Sequence, residues 1–158
     1  MMIEIGSPLP PFSLPDQTGT SVSGVALAGH WAVLYFYPKD MTPGCTTEAE
    51  EFSELLPQFE ALGVLLWGIS PDSPETHAQF QEKRNLTVNL LSDSSHEFME
   101  RVGSWGEKVL YGKRSVGVKR STVIVAPDGT VAWVWKAARA KGHAVKVLEK
   151  IRELTDAG

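Results

Sequence analysis

Trp31 to Tyr37 reads WAVLYFY, an unbroken run of apolar, β-branched and aromatic residues that Pro38 stops. A strand with one wet face alternates in polarity, so a continuous run predicts a strand buried on both faces, with a layer of structure on each side of its sheet. From Gly44 onward the period changes. Ala49, Phe52, Leu55, Leu56, Phe59 and Leu62 recur at three- and four-residue steps, which is one face of a helix. Pro57 falls inside that pattern and predicts a kink or break near residues 53–57, and Gly63 is suited to close the helix. Val64 to Ile69 reads as a second buried strand. Ser73-Pro74-Glu75 then combines a cap, a first-turn proline and an early acid, the start of a helix running to about Asn85.

The remaining segments are shorter. Residues 6–30, rich in Pro, Gly, Ser and Thr with Phe12 and Leu14 alternating against polar neighbours, read as a strand or hairpin at the edge of the domain. Leu90-Leu91 is a brief strand, and Ser94 or Ser95 is placed to cap a short helix carrying Phe98, Met99 and Val102. Residues 103–119 hold four glycines and read as a long loop, with Lys108, Lys113, Arg114 and Lys119 spread along it. Ser121 to Ala126 and Thr130 to Trp135 flank Pro127-Asp128-Gly129, a hairpin signal. A last helix begins near Lys141, with Ala144, Val147, Leu148, Ile151 and Leu154 as its apolar face. Alternating βαβ followed by ββα predicts an α/β fold of thioredoxin-like arrangement, a central mixed sheet flanked by helices with an N-terminal extension. Residues 1–158 form one domain on this reading, since the length suffices for one core and not for two of ordinary size.

Composition narrows the function classes. Apolar residues at 42% and charged residues at 22% are the balance of a globular protein. A net charge of -4 argues against nucleic-acid binding. No run of about 18 apolar residues predicts a membrane span, and Met1-Met2-Ile3-Glu4-Ile5-Gly6 lacks the basic and apolar regions of a signal peptide, which points to the cytoplasm. The four histidines lie far apart in sequence and there is one cysteine, so neither a metal site nor another cofactor is expected.

That cysteine, Cys45, follows the first buried strand and falls in the first turn of the next helix. Unpaired amides and the helix dipole favour negative charge there, and the thiolate is the reactive form of a cysteine. Strand-to-helix loops of α/β sheets are also where ligands bind. The competing reading is an inert cysteine packed as a small hydrophobe.

Pro38-x-x-x-Thr42-x-x-Cys45 resembles the active-site signature of the peroxiredoxins, and Gly44-Cys45-Thr46-Thr47-Glu48-Ala49 is similar to the bacterioferritin-comigratory, or peroxiredoxin Q, subgroup. The similarity extends to Gly6-x-x-Leu9-Pro10-x-Phe12-x-Leu14, Gly68-Ile69-Ser70-x-Asp72, Trp105-Gly106-Glu107-Lys108, Tyr111-Gly112-Lys113, Gly117-x-x-Arg120-Ser121-Thr122 and Asp128-Gly129, most of the chain. It implies a thiol-dependent peroxidase that reduces hydrogen peroxide or organic hydroperoxides through a Cys45 sulfenic acid. Thr42 would position the peroxide, though a threonine there is also a natural helix cap. Arg120 would be the cation beside the sulfur, and is otherwise a solvated charge. Pro38 would shield the sulfur or simply end the strand. Glu48 would orient Arg120 or merely be a first-turn acid, and Trp105 would wall the pocket or pack as an ordinary core residue.

One departure matters. Many subgroup members carry a resolving cysteine five residues after the first, where this chain has Glu50; others carry it on the next helix, and residues 74–85 hold none. The expected cycle therefore uses an external thiol: thioredoxin, glutaredoxin or a low-molecular-weight thiol, with the protein a monomer or weak homodimer. The alternative is a non-catalytic thioredoxin-fold redox sensor or chaperone-like binding module. A cysteine hydrolase is a further rival, for which no histidine stands in a recognisable context.

Overall fold

The computed structural model describes residues 2–156; Met1, Ala157 and Gly158, at the ends of the expected 1–158 domain, lie outside them. The WAVLYF run forms β3 (Trp31–Phe36), the middle strand of a five-stranded sheet among the described residues. On one side β3 pairs in parallel with β4 (Val64–Ser70), which pairs in parallel with β5 (Asn89–Ser92). On the other side it pairs antiparallel with β8 (Ser121–Val125), and β8 with β9 (Val131–Trp135). The order is therefore β5-β4-β3-β8-β9, a mixed sheet as expected.

Because side chains alternate across a strand, β3 feeds two apolar layers. Val33 and Tyr35, with Tyr37 just beyond the strand, join Cys45, Ala49, Phe52 and Phe59 of α1 (Pro43–Ala61) and Val147, Leu148 and Ile151 of α4 (His143–Asp156). Ala32, Leu34 and Phe36 face the opposite layer, with Phe12, Leu14, Phe98, Met99 and Val102. Both layers are needed for a strand this apolar. The N-terminal segment forms a short hairpin, β1 (Ser13–Pro15) with β2 (Ser21–Ser23), lying against β5 at the sheet edge, where Asp16 bridges to Leu91.

Three expectations are corrected. First, residues 103–119 are not a loop. They contain a second two-stranded ribbon, β6 (Trp105–Leu110) paired with β7 (Lys113–Val118), turned at Tyr111 and Gly112, both at positive φ. Two consecutive left-handed residues make the turn that suits the twist of a tight hairpin. Second, of the kink or break expected near residues 53–57, there is no break: α1 runs continuously through Pro57. Proline removes the N–H that would bond the Ser53 carbonyl; here the Thr87 hydroxyl donates to that carbonyl at 3.2 Å, while the Thr87 and Val88 amides donate to the Ser53 hydroxyl, each at 3.1 Å. A neighbouring segment thus satisfies the group that proline orphans. Third, the N-cap position of α3 (Glu97–Val102) is held by His96, in a left-handed conformation, and not by Ser94 or Ser95; the Ser95 hydroxyl accepts from the Glu97 amide only at 3.4 Å, while Asp93 Oδ2 accepts from the Met99 amide at 2.9 Å.

The helix after β4 is α2 (Pro74–Arg84), capped by the Ser73 side chain and closed by Asn85 in the left-handed region, in keeping with its sequence signals. Among the described residues no helix is long and apolar enough to cross a membrane.

Candidate active site

The loop from Pro38 to Thr42 carries the chain from the end of β3 to the first turn of α1, so Cys45 sits at the strand-to-helix corner. Its side chain turns inward with Ala49 and Phe52, and the residue is 2% exposed. Arg120 stands one residue before β8, whose Ser121 pairs with Phe36 at the end of β3. That register brings a residue far along the chain to the cysteine. Arg120 Nη2 donates to Cys45 Sγ at 3.2 Å, and Nη1 donates to Glu48 Oε1 in an ion pair whose carboxylate is fully buried. Gly44 lies beside this arm: a Cβ there would be in contact with Arg120 Nη2 at 3.4 Å.

Burial pushes the Glu48 carboxyl up to about 7 against the pull of Arg120, while Glu48 and Cys45 together raise Arg120 despite its own desolvation. Glu48 Oε2 has no hydrogen-bond partner among the described residues. Thr42 occupies the N-cap position of α1 but does not cap it; its hydroxyl donates to the Lys39 carbonyl at 2.8 Å, leaving its lone pairs free to accept. Pro38 is half-buried at the end of β3. Trp105 stacks on His96, ring centroids 3.8 Å apart, and no contact with Cys45 is among those described.

Two polar networks escape the sequence reading, which treats the histidines as isolated. Tyr37 donates to Asp40 Oδ1 at 2.6 Å, and Asp40 Oδ2 lies 2.6 Å from His77 Nδ1, with both side chains of that pair fully buried. His77 Nε2 donates to the Leu91 carbonyl at 3.0 Å, since a carbonyl can only accept. The Asp40 amide donates to Asp72 Oδ2 at 2.8 Å. These bonds clamp the loop next to Met41, a non-glycine residue at φ +66 that such anchoring can hold in a costly conformation. The second network pairs His143 Nε2 with the Thr122 hydroxyl at 2.7 Å. Burial, with Lys146 and Arg120 nearby, lowers His143 to about 4. The sequence signal is weak: Tyr37 and Thr122 lie near the ends of buried strands, but His77 and His143 sit on helices, with no motif linking them to their partners.

A buried thiol held by a guanidinium, itself held by a buried carboxylate, is an arrangement for attack on a small electrophile. Residues 5–134 match the AhpC/TSA family. The chain belongs to that family. Peroxiredoxin Bcp of Bacillus subtilis is 38% identical over 156 residues, covering 99% of each chain. The structure of PrxQ from Xylella fastidiosa superposes with a TM-score of 0.91 at 34% identity, covering 98% of this chain and 99% of that one. The bacterioferritin comigratory protein of Xanthomonas campestris, described for its alkyl peroxide reduction activity, gives 0.87 at 37% identity, covering 95% and 98%. The chain is a thiol-dependent peroxidase of the peroxiredoxin Q type with the thioredoxin-like fold, and nothing in these relationships supports a non-catalytic binding module.

Proposed function

We propose that Cys45 is the peroxidatic nucleophile, and that Arg120, Thr42, Glu48 and Pro38 form its site. The observation that carries this is the 3.2 Å contact of Arg120 Nη2 with Cys45 Sγ, made while Glu48 holds the other arm of the guanidinium. The Cys45 thiolate attacks the terminal peroxide oxygen. An S–O bond forms and the O–O bond breaks; sulfur is oxidised by two electrons, and the departing alkoxide or hydroxide takes a proton to leave as alcohol or water. Charge moves from sulfur to the leaving oxygen, so donors fixed across that path stabilise the transition state. Arg120 supplies them, Thr42 offers a lone pair to the peroxide O–H, and Pro38, with no N–H, covers the sulfur. The alkyl peroxide reduction described for the Xanthomonas campestris relative supports organic hydroperoxides as substrates beside hydrogen peroxide.

Cys45 is the only cysteine, so its sulfenic acid has no thiol in the chain to condense with. An external thiol forms a mixed disulfide with release of water, and a second thiol displaces Cys45 as thiolate. Thioredoxin, glutaredoxin or a low-molecular-weight thiol fills this role, in a cytoplasmic monomer or weak homodimer. Because Cys45 is 2% exposed, the incoming thiol reaches it only after the start of α1 moves aside.

Peroxide consumption measured with each class of thiol donor, beside Cys45→Ser, tests the reading. Turnover is expected with at least one donor and none with the variant. Mass spectrometry without donor should show Cys45 advancing from sulfenic to sulfinic acid. Turnover by Cys45→Ser, or a Cys45 that stays a free thiol in excess peroxide, would refute it.

A further inference from the structure

Two buried polar atoms close to the Cys45 site have no hydrogen-bond partner among the described residues: the Tyr35 hydroxyl and Glu48 Oε2. Each would cost free energy if left idle in an apolar interior, and native proteins rarely leave such groups unpaired. One is a donor and the other an acceptor.

They lie in the same part of the core. Tyr35, on β3, sits between Gly68 of β4 and Thr122 of β8 in the sheet, facing α1. Its ring stacks on Phe52 with centroids 4.4 Å apart, and Phe52 is one helical turn beyond Glu48. The ring leans over Gly68, where a Cβ would come within 2.6 Å of the hydroxyl, so only glycine admits the phenol at this depth. After burial, Glu48 exerts the largest effect on the Tyr35 phenol, ahead of Asp40 and Cys45. A phenylalanine would fill the same space without a polar tip.

We propose that Tyr35 is a positioning residue for the peroxidase site: through one buried water its hydroxyl donates to the second oxygen of Glu48, fixing the carboxylate that holds Arg120 against Cys45. A buried water is normally held by a few polar partners, and these two atoms supply a donor and an acceptor for one. Arg120 would then be oriented by a carboxylate bonded on both oxygens. The titratable groups acting on Glu48 are Arg120, ahead of β8, and Glu51 on its own helix; Cys45 shares the Arg120 guanidinium, Tyr35 faces the carboxylate from β3 with Asp40 acting on it from the loop after the strand, and His143 of α4 lies near Arg120.

The test is the rate constant for oxidation of Cys45 by hydrogen peroxide between pH 5 and 9, for the parent, Tyr35→Phe, Glu48→Gln and the double variant. Losing a donor to the carboxylate raises its titration, so Tyr35→Phe should move the acid limb up by about one pH unit and lower the rate about 3- to 10-fold near pH 6.5, with near-recovery at pH 9. In the Glu48→Gln background the Tyr35 change should have less than about a twofold effect, because the group it serves no longer titrates. An unmoved limb in Tyr35→Phe, or an effect that multiplies onto Glu48→Gln, overturns the proposal. A high-resolution crystal structure of the unmutated protein should hold a water within hydrogen-bonding distance of Tyr35 Oη and Glu48 Oε2, and a dry gap there overturns it even if the variant does not fold. The proposal rests on Cys45 as the nucleophile. Activity of Cys45→Ser would remove that reading, while the water remains a separate observation.

Discussion

Replacing His143 by glutamine should change how stability responds to acid more than it changes stability at neutral pH. Glutamine keeps a polar contact for Thr122 but does not titrate. In the folded protein His143 is lowered from 6.5 to about 4, by burial first and by Lys146 and Arg120 next. A folded-state value below the unfolded one means the unfolded chain binds the proton first. Stability is therefore fully present above 6.5 and is lost as pH falls toward 4. A displacement of that size corresponds to about 3 kcal/mol, or about 2 kcal/mol once solvent near the start of α4 is allowed for. Glu48 acts in the opposite sense: raised from 4.5 to about 7, its contribution is fully present below 4.5 and is lost as pH rises through 7. Between these limits the two groups offset one another in the parent. Urea unfolding of parent and His143→Gln at pH 8, 7, 6, 5 and 4 isolates the histidine, because other carboxylates contribute to both chains. The variant should gain about 2 kcal/mol on the parent between pH 7 and pH 4. A difference that stays constant across the series would refute the reasoning.

Arg120→Lys keeps the charge but cannot donate to sulfur and carboxylate from one planar fork, so peroxide oxidation of Cys45 should slow by about 10²–10³-fold in stopped-flow measurements. A loss below about threefold would mean that charge alone suffices. Gly68→Ala would place a methyl 2.5 Å from Tyr35 Cζ. It should cost about 1–3 kcal/mol in urea unfolding, and adding Tyr35→Val should cost less than the sum of the two single changes. Additive effects would show that the clash is relieved elsewhere.

The parts of the fold that were legible in sequence are those whose burial is one-sided or complete. The WAVLYFY run and the α1 stripe each meet a core, so their periods survive in the residues. The β6–β7 ribbon meets little. Val109 is 63% exposed, Val116 68% and Tyr111 96%, and glycines and lysines fill the gaps, so no apolar period marks the strands. The usable signal was Tyr111-Gly112 between two β-prone stretches. Pro57 misled for a different reason: the carbonyl it orphans is satisfied by Thr87, a partner 34 residues away that no local rule reveals. At the site, the corner position of Cys45 followed from the βα pattern, whereas Arg120, 75 residues distant, was reachable only through family resemblance. Asp40 and His77 were missed because their pairing depends on the approach of α2 to the loop. Thr42 stands at the start of α1, but the capping role a threonine suggests there is not taken up: its hydroxyl donates to the Lys39 carbonyl in the loop.

The ties along α1 are unevenly distributed. Glu51 accepts from the Gly142 amide at 2.7 Å, Ser53 is bound to Thr87 and Val88, and Gln58 accepts from Arg152 at 2.8 Å. Among the described hydrogen bonds, the first turn carrying Cys45 is tied to another element through Arg120 alone. The helix is in effect riveted along its length and latched at its tip. Conversion of the thiol to sulfenic acid alters the partner on which that latch closes. In the proposed cycle the chemical step and the hold on the helix end are thereby coupled through one side chain, while the bonds of Glu51, Ser53 and Gln58 keep the rest of α1 in place.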